Sequence, residues 1–294
     1  MLFPGNVVIY NGKTMLNLCD LHTHTIFSMH GMSSPTEMVN AAIELGLKYI
    51  GLTDHHYVWP NTYPYVDGVR NGTFFIRKNQ EARMWEYGRS FSRVADQITV
   101  VPGYEYNFFA CNEHSKCSYN DIERNRISYP HMKLIGLHNW YYDSHAIDKD
   151  RLLSEIDENL MWGGYHIFTH PEREIDKLDI QGLSGIEYVL GRIVDLCEKY
   201  GVILEVNESS LRNTNHRTSE YTFRYDFMKY WLGKAKEKGM LVVVNSDAHS
   251  IYDIGQCDEA FKLLEDVEYP VDLIVNFDEK KIDFLLDKIQ KGGA

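Results

Sequence analysis

The sequence predicts an α/β barrel of parallel strands, and three observations carry that prediction. Seven short apolar runs alternate with amphipathic helical patterns. Six of the seven runs lead into a histidine or an acid. Such strand ends converge on one pocket only if they form a ring, the C-terminal face of a barrel, whereas an open sheet would spread them along a line. The length agrees: 294 residues, 44% hydrophobic and 24% charged, can bury a full core without staples. Barrels of this size commonly form one unit, so residues 1–294 are read as a single domain.

The runs, in order, are MLNLC (15–19), KYIGL (48–52), ITVV (98–101), KLIGL (133–137), YHIF (165–168), VILEV (202–206) and LVVVN (241–245). Between the first two, Ser34-Pro35-Thr36-Glu37 is a capping box with proline at the first helical position, and the helix it opens should end near Gly46. Further helical patterns cover roughly 79–97, 149–161, 186–200, 219–238, 257–266 and 278–290. Two connections, about 55–78 and 103–132, are long and rich in Tyr, Asn, Gly and Arg, and long loops in compact domains are often functional. There is no repeat, low-complexity tract or linker.

Thirty Lys and Arg face 42 Asp and Glu, a formal net charge of −12. Such a surface repels polyanions and disfavours nucleic acid as a partner. Small anionic substrates stay compatible, because a metal site inverts the local field. No apolar run approaches ~18 residues, so no membrane span is predicted. The stretch MLFPGNVVIYNGKTML lacks a basic region followed by a long apolar one, so no signal peptide is predicted. Cys19, Cys111, Cys117, Cys197 and Cys257 are odd in number and form no CxxC, which predicts free thiols in a reducing cytoplasm. Cys111, His114 and Cys117 lack a fourth ligand for a metal clip.

The strand ends read Asp20-Leu21-His22-Thr23-His24, Thr53-Asp54-His55, Gly103-Tyr104-Glu105, His138, Thr169-His170 and Ser246-Asp247-Ala248-His249. In extended backbone, residues i and i+2 point to the same side, so His22 with His24, and Asp247 with His249, each aim two ligands into one pocket. A lone histidine is more often a surface or satisfied core residue, and His56, His114, His131, His145, His166 and His216 are read that way. His56 adjoins His55 and could line the pocket.

These motifs resemble the PHP family, named for polymerase and histidinol phosphatase, over about residues 16–290. The closest likeness is to its trinuclear-metal phosphatases. In their pattern a further histidine follows the first pair by six residues, here His30, a bridging glutamate follows the third strand, here Glu105, and a His-Pro follows the fifth, here His170-Pro171. The resemblance implies a distorted (β/α)7 barrel with the metal site at the C-terminal ends of the strands. It implies one ion held by His22, His24, Glu105 and Asp247, a second by Glu105, His138 and His170 with Glu105 bridging, and a third by His30, His55 and His249.

Neutral imidazoles and carboxylates suit zinc, manganese or iron, with no thiolate to select zinc alone. Three divalent ions against two carboxylates leave a cluster of about +4, matched to a dianionic phosphate. Metals together polarise phosphoryl oxygens, generate hydroxide near neutral pH and clamp the attacking and leaving oxygens. No Ser, Cys or Asp nucleophile is then needed. Asp247 or water supplies the leaving-group proton. Related phosphatases show an Asn-x-Ser-x-Leu-Arg-like stretch where this chain has Asn207 to Arg212, so Arg212 is expected to hold the substrate phosphate. Arg77, Arg83 and Arg192 are weaker candidates, and Tyr57, Trp59, Tyr63 and Tyr65 could flank a substrate. The expected activity is hydrolysis of a small phosphorylated metabolite, with histidinol phosphate as one member of that class. In the family's histidinol phosphatases Thr-Glu-His often stands where this chain has Thr53-Asp54-His55. The alternative is a phosphodiesterase or nuclease acting on a small nucleotide or DNA end. A non-catalytic metal protein and an amide- or lactone-hydrolysing barrel fit the full ligand set less well.

Overall fold

Apolar runs with one inward and one outward face cannot stay as single strands, and here they pair into a parallel sheet that nearly closes on itself. The computed structural model describes residues 6–28, 30–56, 83–107, 129–137, 149–173, 175, 182–212 and 219–291. The barrel strands are β3 (Cys19–Thr23), β4 (Tyr49–Leu52), β6 (Thr99–Asn107), β7 (Met132–Gly136), β8 (Ile167–Thr169), β9 (Ile203–Asn207) and β10 (Val242–Asn245). Their order is β10-β9-β8-β7-β6-β4-β3, with the short β5 (His55–His56) also on β6. The two ends meet through a parallel bridge between Thr23 and Ala248 and a hydrogen bond from His24 N to Ala248 O at 2.7 Å. Seven strands and the barrel were both legible in the run pattern.

The helices are α1 (Pro35–Leu45), α2 (83–90), α3 (Lys149–Gly163), α4 (Gly182–Tyr200), α5 (Glu208–Arg212), α6 (Ser219–Glu237), α7 (Asp258–Asp266) and α8 (Glu279–Lys291). The Ser34–Glu37 capping box forms as expected, and Gly46 ends α1 in the left-handed conformation at φ 80°. The short α5 has no counterpart in the sequence reading. Most of α2 agrees with the expected pattern from 79, whose first residues lie outside the described ones.

Two boundaries differ from the expected runs. MLNLC straddles two strands: Met15 and Leu16 belong to an antiparallel hairpin of β1 (Val7–Tyr10) and β2 (Lys13–Leu16), and the barrel begins only at Cys19. The hairpin turns at Asn11-Gly12, both at positive φ, which is the strongest short-range hairpin signal a sequence offers. β6 runs to Asn107 rather than Val101, so Glu105 lies inside a strand rather than after it.

Alternation along each strand sorts the core. Ile203, Ile167, Leu134, Val101 and Val243 form one apolar cluster inside the barrel, closed by Ile282, Leu285 and Ile289 of α8. Leu204, Phe168, Ile135, Val242 and Val244 point the other way and pack against Trp231, Leu190 and Ile156 of the covering helices. On the inward face the residues turn polar toward the C-terminal end: Ile203 gives way to Glu205 and Asn207, Ile167 to Thr169, Val243 to Asn245. One face of a strand thus supplies both the core and the floor of the site. β3 breaks its register between Asp20 and Thr23. Gly51 allows the close approach there, since a Cβ would sit 2.3 Å from Leu21 O. Cys19, Cys197 and Cys257 are buried free thiols, and no described helix is long and apolar enough to cross a membrane.

Two histidines outside the site are fixed as neutral. Tyr106 Oη donates to His131 Nε2 at 2.7 Å while His131 Nδ1 donates to Tyr129 O, and Lys133 N donates to His166 Nδ1 at 3.0 Å. Burial, with Lys133 nearby, pushes His131 down to about 4 and His166 to about 3. An unfolded imidazole titrates near ~6.5, so on acidification the unfolded chain takes up these protons first. Stability should therefore hold above pH ~6.5 and fall as pH drops from there toward about 4. Urea midpoints of chelator-treated protein, compared with His131→Gln, check this: the variant should lose part of the acid sensitivity, and equal pH profiles would remove the role given to His131.

Candidate metal centre

The polar ends of the strands bring the expected residues together. β3 carries His22 and leads to His24, β5 carries His55, and β6 carries Glu105. His170 follows β8, Asp247 and His249 follow β10, and His30 lies on the loop between β3 and α1. His138 lies outside the described residues, as do Arg77, Tyr57, Trp59, Tyr63, Tyr65, Cys111, His114 and Cys117.

Register places His55 opposite Glu105, and His55 Nδ1 is 2.9 Å from Glu105 Oε2. The same oxygen is 3.5 Å from both His22 Nε2 and His24 Nε2, while Glu105 Oε1 is 2.9 Å from His170 Nε2. Asp247 Oδ1 is 3.6 Å from His22 Nε2 and 3.2 Å from His24 Nε2. His30 and His55 meet at 3.4 Å, and the rings of His30 and His24 both stack on His249 at 4.3 Å. Among the described residues, two sets of ligand atoms converge closely enough for either to hold an ion: His22, His24 and Asp247, and His24, His55 and His249.

Hydrogen bonds behind the site decide which atoms face into it. Glu205 accepts from Asn207 and Asn245 side chains and from His170 N, so it also accepts from His22 Nδ1, at 2.8 Å. His249 Nδ1 donates to Asp247 O at 2.9 Å. In its neutral form each of these rings therefore turns an Nε2 lone pair inward. His249 Nε2 is buried and has no partner among the described residues. His22 Nε2 and His24 Nε2 stand 3.0 Å apart, with Glu105 and Asp247 carboxylates beside them. Acceptors so crowded repel one another unless a cation lies between them, so the donor set fits bound metal ions.

The local electrostatics point the same way. Burial would lower His22, yet Glu205, Glu105 and Asp247 together hold it well above the usual imidazole range. Burial, then His55 and His249, push His24 well below it, and burial, then His249 and His55, take His30 to about 4. Burial would raise Asp247, but Arg173 and His22 hold it well below the usual carboxylate range. His170 and Asp247 also occupy the left-handed region, at φ 29° and 54°. Non-glycine residues there cost about 1–3 kcal/mol each and cluster at functional sites. Asp20 pins the turn that carries Asp247, accepting from Ser246 N at 3.1 Å, Ser246 Oγ at 2.5 Å and Gly255 N at 2.9 Å.

Arg212, expected at the phosphate, is committed elsewhere. It ends α5 with its guanidinium on Asp253 Oδ1 at 2.8 Å and Gln256 O at 2.5 Å, and its Nε is 3.7 Å from Glu208. The helix turns it along the barrel rim toward the loop that precedes α7. Arg83 stacks on Phe27 at 4.3 Å, and Arg192 pairs with Asp195. Among the described residues, the arginine in contact with the cluster is Arg173, whose Nη2 is 2.9 Å from Asp247 Oδ2 and 3.2 Å from Asn207 Oδ1. Sequence reasoning passed over it, and no spacing signal singles it out. Glu205 was also passed over, although a lone acid inside the apolar run VILEV is such a signal.

Comparison with known proteins agrees with this architecture. The PHP domain model matches residues 20–209, and the chain belongs to the PHP family. Asp247 and His249 lie beyond the matched stretch, and barrel closure brings them to it. A probable phosphatase of Caldanaerobacter subterraneus subsp. tengcongensis is 28% identical over 291 residues, 95% of each chain. The probable phosphatase YcdX of Shigella flexneri is 24% identical over 90% of this chain and 91% of its own. A histidinol phosphate phosphatase from Lactococcus lactis subsp. lactis, solved with zinc, L-histidinol and phosphate, superposes with a TM-score of 0.58 at 16% identity, covering 86% of this chain and 95% of that one. That likeness concerns the fold.

Proposed function

We propose that the chain is a phosphatase that hydrolyses a small phosphomonoester at a cluster of three divalent metal ions. The observation that carries this reading is the convergence of the His22, His24, His55 and His249 ring nitrogens with the Asp247 and Glu105 carboxylates. His22, His24, Glu105 and Asp247 would hold one ion, Glu105, His138 and His170 a second, and His30, His55 and His249 a third. Zinc, manganese and iron all suit these donors. When bound, the ions supply Lewis acidity and a nucleophilic hydroxide near neutral pH.

The protein's own groups do the rest. Glu105 presents one oxygen toward His170 and the other toward His22, His24 and His55, an arrangement that suits a bridging carboxylate. Glu205 orients the His22 ring. Asp247, held ionised by Arg173 and His22, is suited to ligate an ion as a charged carboxylate, and the proton for the leaving oxygen would then come from water. Arg173 offers a forked guanidinium beside Asp247, and we assign it rather than Arg212 to the substrate phosphate. The probable-phosphatase relatives support the reaction class, and the histidinol phosphate phosphatase of the same fold supports a small phosphorylated metabolite, histidinol phosphate among the candidates.

The test is a panel of phosphomonoesters and phosphodiesters assayed with metal-free protein restored by zinc, manganese, iron or magnesium in turn. Monoester turnover that requires added metal is expected. Turnover confined to diesters would move the reading to a phosphodiesterase, and full turnover in chelator would end it. Metal should also stabilise the fold, by about 4 kcal/mol per ion at roughly 1,000 times its Kd. The melting temperature should rise correspondingly on reloading, and an unchanged value would count against ions in this site.

A further inference from the structure

We infer that Ser28 and Asp54 form a positioning pair that couples two of the proposed ion positions, so that the His22–His24–Glu105–Asp247 set and the His30–His55–His249 set fill and empty together. The inference rests on the metal reading above.

Ser28 Oγ lies 2.8 Å from Asp54 Oδ1, 3.0 Å from His24 Nδ1 and 3.2 Å from His55 N. Asp54 Oδ1 also accepts from Thr25 N at 2.7 Å, and Oδ2 accepts from Tyr87 Oη at 2.9 Å. The carboxylate is surrounded by donors, so the single serine proton goes to it. The His55 amide fills one serine lone pair. The other leaves His24 one role, donation from Nδ1, and so fixes its Nε2 lone pair toward Asp247 Oδ1 and His22 Nε2.

His24 belongs to the first ligand set and His55 to the second, and their rings lie 4.4 Å apart. One oxygen thus orients a ring of the first set and anchors the main chain of a ligand of the second. Ser28, Asp54 and His24 are all buried, so bulk water does not replace a lost partner. His22 has an independent anchor in Glu205. Losing the Ser28 hydroxyl should therefore loosen the second set more than the first and uncouple them.

The experiment uses full-length protein loaded with zinc and dialysed against graded chelator, with ions per chain counted by elemental analysis. In the wild type, the ions of the two sets should leave in one transition. In Ser28→Ala that transition should split, with one ion leaving at about 10- to 100-fold lower chelator. Ser28→Thr restores the hydroxyl and should close the split. Nitrogen NMR of the histidine rings should show a single Nδ1–H tautomer for His24 in the wild type and a mixture in Ser28→Ala. A Ser28→Ala transition still single, at the wild-type chelator concentration, overturns the coupling and leaves the metal site standing. Wild-type protein that binds no ion overturns both. Should Ser28→Ala not fold, Tyr87→Phe removes a donor to Asp54 without touching Ser28. It should give a smaller split of roughly 2- to 10-fold, and no split would overturn the inference.

Discussion

Replacing Glu105 with glutamine is expected to empty the centre more thoroughly than any other single ligand change. Glu105 is buried, with Oε1 on His170 and Thr169 and Oε2 on His55, His22 and His24. Glutamine keeps one acceptor and turns an amide NH2 toward the other side, where it would face either a lone pair or a cation. Breaking a buried charge pairing by removing one partner costs about 3–5 kcal/mol, which is roughly 10²- to 10⁴-fold in affinity. Ion content and kcat should both fall by amounts of that order. Glu105→Asp keeps the charge but shortens the reach, and should lie between. Elemental analysis beside steady-state kinetics measures both. Normal ion content in Glu105→Gln would show that Glu105 is not a bridge.

The second large effect belongs to Arg173. A hydrogen bond to a charged group contributes roughly 1.5–3 kcal/mol, so Arg173→Ala should lower kcat/KM for a phosphomonoester by about 10- to 100-fold. Arg173→Lys should recover only part of this, because an ammonium cannot meet two phosphate oxygens in one plane. Diesters carry one charge fewer on phosphorus and should be less affected. Arg212→Ala supplies the contrast. Its partners are Asp253 and Gln256, so its loss should lower the melting temperature and leave monoester kinetics within about twofold of wild type. The opposite pattern, with kinetics lost at Arg212 and retained at Arg173, would return the phosphate to the residue expected from sequence.

The difference between these two arginines marks what a sequence conveys. His22, His24, His55, Glu105, His170, Asp247 and His249 were legible because each sits at or near the polar end of an otherwise apolar strand, where only convergence explains its presence. Strand ends are local features. The direction of Arg212 is not: it depends on whether residues 208–212 form a loop or the helical turn α5, and that turn sends the side chain to Asp253. Arg173 is the reverse case. It lies three residues past His170 in a turn, and only the left-handed His170 and closure of the barrel bring it against Asp247. Ser28 and Asp54 read as ordinary loop residues until the tertiary contact with His24 is seen.

The bridge from Thr23 to Ala248 has a consequence in time. The paired ligands sit on the first and last strands of the barrel, more than two hundred residues apart in the chain. A ribosome releases His22 and His24 long before it makes Asp247 and His249. Until then the early histidines have half a partner set and no seam to hold them, and such distant pairings form late because the intervening loop must first be closed. On the proposed ligand set, ion capture would thus be a closing event of biosynthesis, and a nascent chain halted before β10 should be unable to hold its full complement.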